Sequence, residues 1–289
     1  MIDNPGLVLR ITPAKAFGVS GPLAERAREF AGRACGALDL PCEPNCHLEI
    51  VSAPPEHVGL GTGTQLGLSV AAGLNSFLGR EPLEPVVLAR MVSRGERSAI
   101  GTYGFDRGGL LVESGKHEGD LLSPLVARLE LPSKWRFLLI CLRGESGLSG
   151  NAEHAAFREL PPVPSAVTAT LCREILLSLL PAAAEGHFEE FSASLYRYGH
   201  MAGLSFAPNQ GGPFASERIA HLISTIRELE VHGVGQSSWG PTVFALLPDD
   251  AAAERLEHAL RENEQFAEAN YFTAKPASQG ARIEVFEGQ

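Results

Sequence analysis

The chain has 289 residues, 44% hydrophobic and 20% charged, with a formal net charge of −10. That length and apolar content suit one large or two moderate globular domains with a real core. The acid excess repels a phosphate backbone, which argues against general nucleic-acid binding but leaves room for a local basic pocket around a small phosphate. No uncharged apolar run reaches the roughly 18 residues of a membrane span. MIDNPGLVLRI lacks the basic-then-apolar order of a signal peptide. Five scattered cysteines (Cys35, Cys42, Cys46, Cys141, Cys172) fit reduced thiols and a cytoplasmic location. Cys42, Cys46 and His47 are close in sequence. Their spacing is loose and no second ligand pair follows, so they read as loop and strand residues rather than a metal site.

In chain order, Leu7–Thr12 alternates like a strand. Gly21-Pro22 opens a helix to about Cys35, with Leu23, Ala27, Phe30 and Ala34 on one face. Cys46–Ser52 is a strand, closed off by Pro54-Pro55. A glycine loop follows and runs into a helix ending near Leu78. Glu84–Ser93 is a short helix, and Gly108–Glu113 a strand behind a glycine pair. Trp135–Leu142 is a continuous apolar run, expected to be a buried strand. Pro161, Pro162 and Pro164 mark the expected boundary between a domain at 1–160 and one at 161–289. Helices are expected at Ser165–Leu180, His187–Gly203 and Phe214–Leu229. Gly233–Leu247 is a glycine-serine turn entering a strand at Thr242. Asp249-Asp250 caps a helix to about Glu262. Tyr271–Lys275 and Arg282–Phe286 read as final strands. Interleaved strands and helices in both halves give an α+β protein with two layered lobes.

Two glycine-rich stretches carry the chemistry. The first is His57-Val58-Gly59-Leu60-Gly61-Thr62-Gly63-Thr64-Gln65-Leu66. A helix N-terminus presents unpaired N–H groups and partial positive charge, and glycines let that backbone approach an anion. Leu66, Val70, Ala71, Leu74, Phe77 and Leu78 share one helical face. Gly67 and Gly73 cost about 1 kcal/mol each against Ala in a helix, which close packing of the helix would offset. No Lys follows the glycines, so this is not a Walker A loop, and the spacing is not that of a dinucleotide fingerprint. A tight turn needing glycine is the alternative. The second stretch is Gly233–Phe244, GVGQSSWGPTVF. It reads either as a hairpin turn or as a loop that packs on the first and completes an anion pocket.

GLGTGTQ before a helix resembles the central phosphate loop of the GHMP superfamily, and GQSSWGPTVFAL resembles its C-terminal glycine motif. RSAIGTYGFDRGG (97–109), WRFLLICLRGESGLSGNAEHAAF (135–157), NQGGPF (209–214) and GQSSWGPT narrow the resemblance to the β-ribofuranosylaminobenzene 5′-phosphate synthase family. The resemblance covers nearly the whole chain. It implies a two-lobed GHMP-kinase-like fold, with an N-lobe like ribosomal protein S5 domain 2 and a ferredoxin-like C-lobe. It implies condensation of a 4-amino- or 4-hydroxybenzoate with phosphoribosyl pyrophosphate, releasing pyrophosphate and CO2, in tetrahydromethanopterin biosynthesis. Mg²⁺ and a homodimer are implied with it. The alternatives are an ATP-dependent GHMP small-molecule kinase and a shortened paralogue that only binds a phosphorylated ligand. Superfamily kinases carry an Asp about seven residues before a Gly-Gly pair; with Gly108-Gly109 as the pair, that position is Gly101. The family normally opens with a strand and an RLHFGL-like segment, whereas MIDNPGL resembles an internal stretch just after it, so the first strands are expected to be missing, through a late start assignment or a true loss.

Under this resemblance Gly59, Gly61, Thr62, Gly63, Thr64, Gln65, Arg94 and Ser98 are expected to hold phosphate. Arg97 and Asp106 are expected in catalysis, with Arg97 also suited to clamp phosphate. Asp106 and Glu96 are candidates for a metal or ribose hydroxyls. Gln236, Ser237, Ser238 and Trp239 are expected to bind substrate, Trp239 by stacking. Glu153 and His154 form a weaker second set.

Overall fold

The computed structural model describes residues 1–40, 43–145, 147, 156–238 and 240–286. The N-terminal lobe is built on a three-stranded sheet of order β1-β3-β2, with β1 at Val8–Pro13, β2 at Gly18–Ser20 and β3 at Cys46–Ser52. β3 runs antiparallel to β1 and parallel to β2. Its alternation puts Cys46, Leu48 and Ile50 inside and turns His47 and Glu49 outward. Outside, His47 Nε2 meets Ser20 Oγ at 2.8 Å and Glu49 pairs with Arg10. Cys46 and His47 thus face opposite sides of one sheet and cannot share a metal. Burial, then the charges of Cys35 and Glu43, push the Cys46 thiol up to about 11.

Helices α1 (Ala24–Ala37) and α2 (Thr62–Phe77) cover the inner face. Ala27, Phe30 and Ala34 meet Leu66, Val70 and Leu74 in one core. The helical glycines allow this approach. A Cβ on Gly67 would lie 3.2 Å from Phe30, and one on Gly73 2.9 Å from Ile11 of β1. α3 (Pro85–Met91) and α4 (Ile100–Arg107) complete the layer. α4 was not legible in the sequence, where its glycines suggest a loop. Glu113 makes it start: its carboxylate accepts the Ala99 N–H at 2.6 Å, a cap supplied from outside the helix. Glu113 ends β4 (Leu110–Glu113), which pairs with β5 (Leu125–Leu129) in a separate ribbon.

The C-terminal lobe is an antiparallel sheet of order β7-β8-β6-β9. Its strands are β6 (Arg136–Cys141), β7 (Val234–Gln236), β8 (Thr242–Leu247) and β9 (Asn270–Ala274). The sheet pairing shifts the expected division at residue 160. β6 lies before that point, yet it is an inner strand of the C-terminal sheet. The chain therefore changes lobe before Trp135, and the proline-rich stretch connects elements within one lobe. Arg282–Phe286 keeps its alternating pattern but forms no strand, and Val285 and Phe286 are exposed. Alternation makes a strand only where a neighbour supplies hydrogen bonds.

The lobe's helices are α5 (Ser165–Glu185, π-helical over Ile175–Leu179), α6 (Phe188–Leu204), α7 (Ala207–Gln210), α8 (Glu217–Glu228) and α9 (Asp250–Glu262). α8 and α9 pack Ile219, Leu222, Leu256 and Leu260 onto the sheet. A third cluster centres on Trp135, which touches Phe188 and Phe191 of α6 and joins Leu110 and Leu129 of the ribbon to this lobe. α5 differs from the sequence expectation. It is one helix with mean hydropathy 1.4 over an 18-residue window, of which 17% is buried, so by length and composition alone it is able to span a membrane. Arg173 and Glu174 interrupt its apolar run, and Glu174 binds Arg197 of α6 at 2.6 Å.

Arg136, with its side chain 8% exposed, reaches from β6 to the Asp250 carboxylate at the start of α9. Its hydrogen bond holds the Asp250 carboxyl below the usual range. Such a group adds stability above its unfolded value of about 4, and that stability is lost as pH falls through the lower folded value. Asp250→Asn is therefore expected to lower Tm at pH 7. Melts repeated below pH 4 should show the gap to the parent protein closing.

Candidate functional site: a junction of two glycine loops

The first glycine loop enters α2 through three left-handed residues: His57 (φ 59°), Gly59 (φ 85°) and Gly61 (φ 70°). Gly61 is the N-cap, and its carbonyl accepts the Thr64 and Gln65 N–H groups. The N–H groups of the turn before them have no intrahelical acceptor. Gly61 is exposed, with open space where a Cβ would stand. Thr62 is buried, and its hydroxyl donates to Pro55 O at 2.9 Å. It therefore shapes the loop.

The second glycine stretch is a hairpin between β7 and β8, and it lies on the first loop. Ser237 Oγ donates to Gly59 O at 2.7 Å, and Thr242 N–H donates to Val58 O at 3.3 Å. A Cβ on Gly59 would collide with Ser237 O and stand 3.0 Å from Gly240 Cα. Gly147, following β6, adds a third strap: its N–H donates to His57 O at 3.1 Å. The stretch is thus a hairpin turn that also packs on the first loop.

Two residues at this junction carried no motif signal. Arg26 of α1 lies against Gly63, where any Cβ would strike its guanidinium. It pairs with Glu56, two residues before Val58 and half-buried like Arg26 itself. Arg26, Arg33 and Arg94 also surround one ring, Phe30, at 5.9, 5.7 and 5.1 Å from its centroid. Three guanidinium groups thus gather around a ring that packs on Gly67 of α2, with Glu56 answering Arg26. The only sequence trace was the α1 face, where Arg26, Phe30 and Arg33 recur at helical spacing.

The remaining expected residues separate. Gln65 bridges α2 to α4 through Gly101 O at 3.0 Å, and Thr64 packs on Gly101. A Cβ on Gly101 would stand 3.0 Å from Thr64 Cγ2, so the position where a kinase carries Asp is filled here by the loop's own threonine. Gln236 is spent on structure, accepting from Ala215 N–H and donating to Ser238 O. Ser238 is exposed at the turn. Trp239, Glu153 and His154 lie outside the described residues. Ser98 Oγ accepts the Ile100 N–H at 3.3 Å at the start of α4. Glu96 is exposed, and its carbonyl holds Lys116. Arg97 lies over Phe157 of the other lobe, 5.0 Å from the ring centroid.

Asp106 is the residue expected in catalysis and a candidate for a metal or ribose hydroxyls. It sits at the far end of α4, five residues from Gly101, or about 7.5 Å along the helix. There it pairs with Arg107 and backs onto Gly280. Among the described residues no three His, Cys, Asp or Glu side chains gather as metal ligands. Two cavities of about 360 and 380 Å³ share His232 and lie at the opposite end of the β7–β8 hairpin. No residue of either glycine loop lines them.

The description "GHMP kinases N terminal domain" matches residues 23–107, and "GHMP kinases C terminal" matches 179–265. The beta-ribofuranosylphenol 5′-phosphate synthase of Archaeoglobus fulgidus is 30% identical over 301 residues, covering 98% of this chain and 90% of that protein. Its counterpart from Methanothermobacter thermautotrophicus is 29% identical over 267 residues, covering 85% and 79%. Among solved structures, homoserine kinase from Cytophaga hutchinsonii superposes with a TM-score of 0.62 at 15% identity, covering 96% of this chain and 88% of that one. Mevalonate pyrophosphate decarboxylase from Streptococcus pyogenes superposes at 0.66 and 10% identity, covering 97% and 87%. These structural likenesses establish the fold alone.

Two outcomes follow from the junction. Gly59→Ala adds a collision to an unfavourable φ and is expected to cost on the order of 3 kcal/mol or more, whereas Gly61→Ala meets open space and costs about 1–2 kcal/mol. Urea unfolding of both variants checks the difference. Arg26→Met removes a charge-assisted partner worth about 1.5–3 kcal/mol. Calorimetry should show pyrophosphate binding weakened roughly ten- to hundredfold.

Proposed function

The chain belongs to the β-ribofuranosylphenol 5′-phosphate synthase family, and on that premise we propose that it joins an aromatic acid to phosphoribosyl pyrophosphate at the glycine-loop junction. The acceptor class is a 4-hydroxybenzoate, which the phenol in the relatives' names favours over 4-aminobenzoate. The observation that carries the reading is the junction itself. The α2 N-terminus, braced by the Ser237–Gly59 bond and flanked by Arg26, offers backbone donors and a cation to a multiply charged leaving group.

The reaction balances without an outside reductant or oxidant. The C1–O bond of the ribose breaks, and its electron pair leaves with pyrophosphate. The ring carbon bearing the carboxylate attacks C1 and forms the new C–C bond. The C–COO⁻ bond then breaks, CO2 departs, and its electron pair restores the aromatic ring. The protein's part is to hold both substrates in line and to neutralise the departing charge. The family resemblance implies Mg²⁺. The carboxylate beside the loop does not fit a protein-made magnesium cage, since Glu56 is engaged by Arg26 and no three His, Cys, Asp or Glu side chains gather among the described residues. No step is routed through a metal.

Gly101 packed on Thr64 supports this reading over phosphoryl transfer, because the position lacks the acceptor-activating carboxylate of a kinase and a side chain there would crowd Thr64. A cytoplasmic enzyme of tetrahydromethanopterin biosynthesis, working as a homodimer, completes the proposal. The exposed Leu176 and Leu177 of α5 are apolar surface that a second subunit would cover.

Carboxyl-labelled 4-hydroxybenzoate with phosphoribosyl pyrophosphate should release labelled CO2 and pyrophosphate in equal amounts. Formation of ADP from ATP with a hydroxylated acceptor, and no CO2, would replace this reading with a kinase.

A further inference from the structure

Three of the stretches that carried the narrower family resemblance meet away from the glycine junction. Arg97 belongs to RSAIGTYGFDRGG, Phe157 closes WRFLLICLRGESGLSGNAEHAAF, and Asn209 opens NQGGPF. In the fold, the Arg97 guanidinium lies 5.0 Å from the Phe157 ring centroid. Phe157 meets Phe206 edge to face at 6.0 Å and 89°. Asn209 Nδ2 donates to Ala156 O at 3.0 Å and ties the NQGGPF stretch to the backbone carrying Phe157. Arg97 is exposed, and both phenylalanines are half-buried.

We propose that Arg97, Phe157 and Phe206 form the subsite for the aromatic acid, with Arg97 on its carboxylate and the two rings against its ring. This deepens the proposed reaction and rests on it. A sugar pyrophosphate is recognised by backbone N–H groups and cations and has no use for a pair of aromatic side chains. An aromatic acid needs both features at once. Aromatic rings favour T-shaped or offset contacts, the geometry this pair already shows, and a substrate ring docking beside it gains from the same contacts. A planar guanidinium matches a carboxylate through two parallel hydrogen bonds.

Placement agrees with the chemistry. Arg97 stands four residues before Gly101, which packs on Thr64 of the phosphate loop. Four residues span at most about 14 Å, so the subsite lies beside the loop while sharing no residue with it. Pairing with Arg97 also keeps the acid ionised, and the carboxylate is the form that departs as CO2. Arg97, expected from sequence to be catalytic or a phosphate clamp, is here a specificity residue. The fold divides the work: the superfamily loops hold phosphate, and the family-specific stretches select the ring.

The test measures binding and turnover separately. Saturation-transfer NMR titrations use 4-hydroxybenzoate and phenol as probes, and calorimetry uses phosphoribosyl pyrophosphate. Arg97→Met should weaken 4-hydroxybenzoate about tenfold or more. It should leave phosphoribosyl pyrophosphate within about twofold and phenol unchanged, since phenol has no carboxylate. Arg97→Lys should recover part of the loss. Phe157→Leu and Phe206→Leu should weaken both aromatic probes and spare the sugar phosphate, with melting curves confirming that the variants fold. Weakening of phosphoribosyl pyrophosphate by Arg97→Met equal to that of the acid would overturn the subsite, as would no change in acid binding. Arg97-dependent binding of the acid by a wild-type protein that releases no CO2 would keep the subsite and sink the reaction. Turnover with Arg97-independent acid binding would do the reverse. A wild-type protein that binds no aromatic acid would overturn both.

Discussion

Gly59 lies directly on the Ser237 carbonyl, and no side chain fits between them. That contact joins a loop of the N-terminal lobe to a hairpin of the C-terminal lobe. The Ser237 hydroxyl bonds back to Gly59 O, and Thr242 N–H to Val58 O. The bonds fix the carbonyls of the loop, which leaves its N–H groups and the α2 terminus as the polar face for a ligand. Each lobe has its own core, and the two glycine loops come together only where the lobes meet.

The same economy appears along α2. Gly63 lets Arg26 lie against the first turn, and Gly67 admits the Phe30 ring, on which Arg94 is also stacked. Removing side chains from one helix brings arginines of neighbouring segments close to its positive end. Glu56 answers the charge of Arg26 there. On the α4 side the lobes meet a second time through Arg97 and Phe157. One seam between the lobes therefore has a cationic glycine end and an aromatic end, which suits a reaction between a sugar pyrophosphate and a ring.

The legible parts were those governed by local periodicity. Cys46–Ser52, Thr242–Leu247 and the helix after Asp249-Asp250 were marked by alternation, apolar runs and caps. The glycine loop before α2 was marked by its residue types. What escaped depended on partners distant in sequence. α4 starts because Glu113 caps it from another strand. β6 belongs to the second lobe because its neighbours are β8 and β9, more than 100 residues away. Arg282–Phe286 alternates as well as any strand but joins no sheet among the described residues. The site divided in the same way. Gln236 and Ser237 were found by motif, but their side chains build the loop. Asp106 was favoured by residue type alone, while its position at the end of α4 and its pairing with Arg107 depend on the fold.

The central claim is that both glycine loops act on one phosphorylated ligand. Hydrogen–deuterium exchange with and without phosphoribosyl pyrophosphate tests it most directly. The account predicts slowed exchange in residues 57–66 and in residues 234–242 together, with one shared concentration dependence. Protection of residues 57–66 alone, with 234–242 unchanged at saturation, would contradict it.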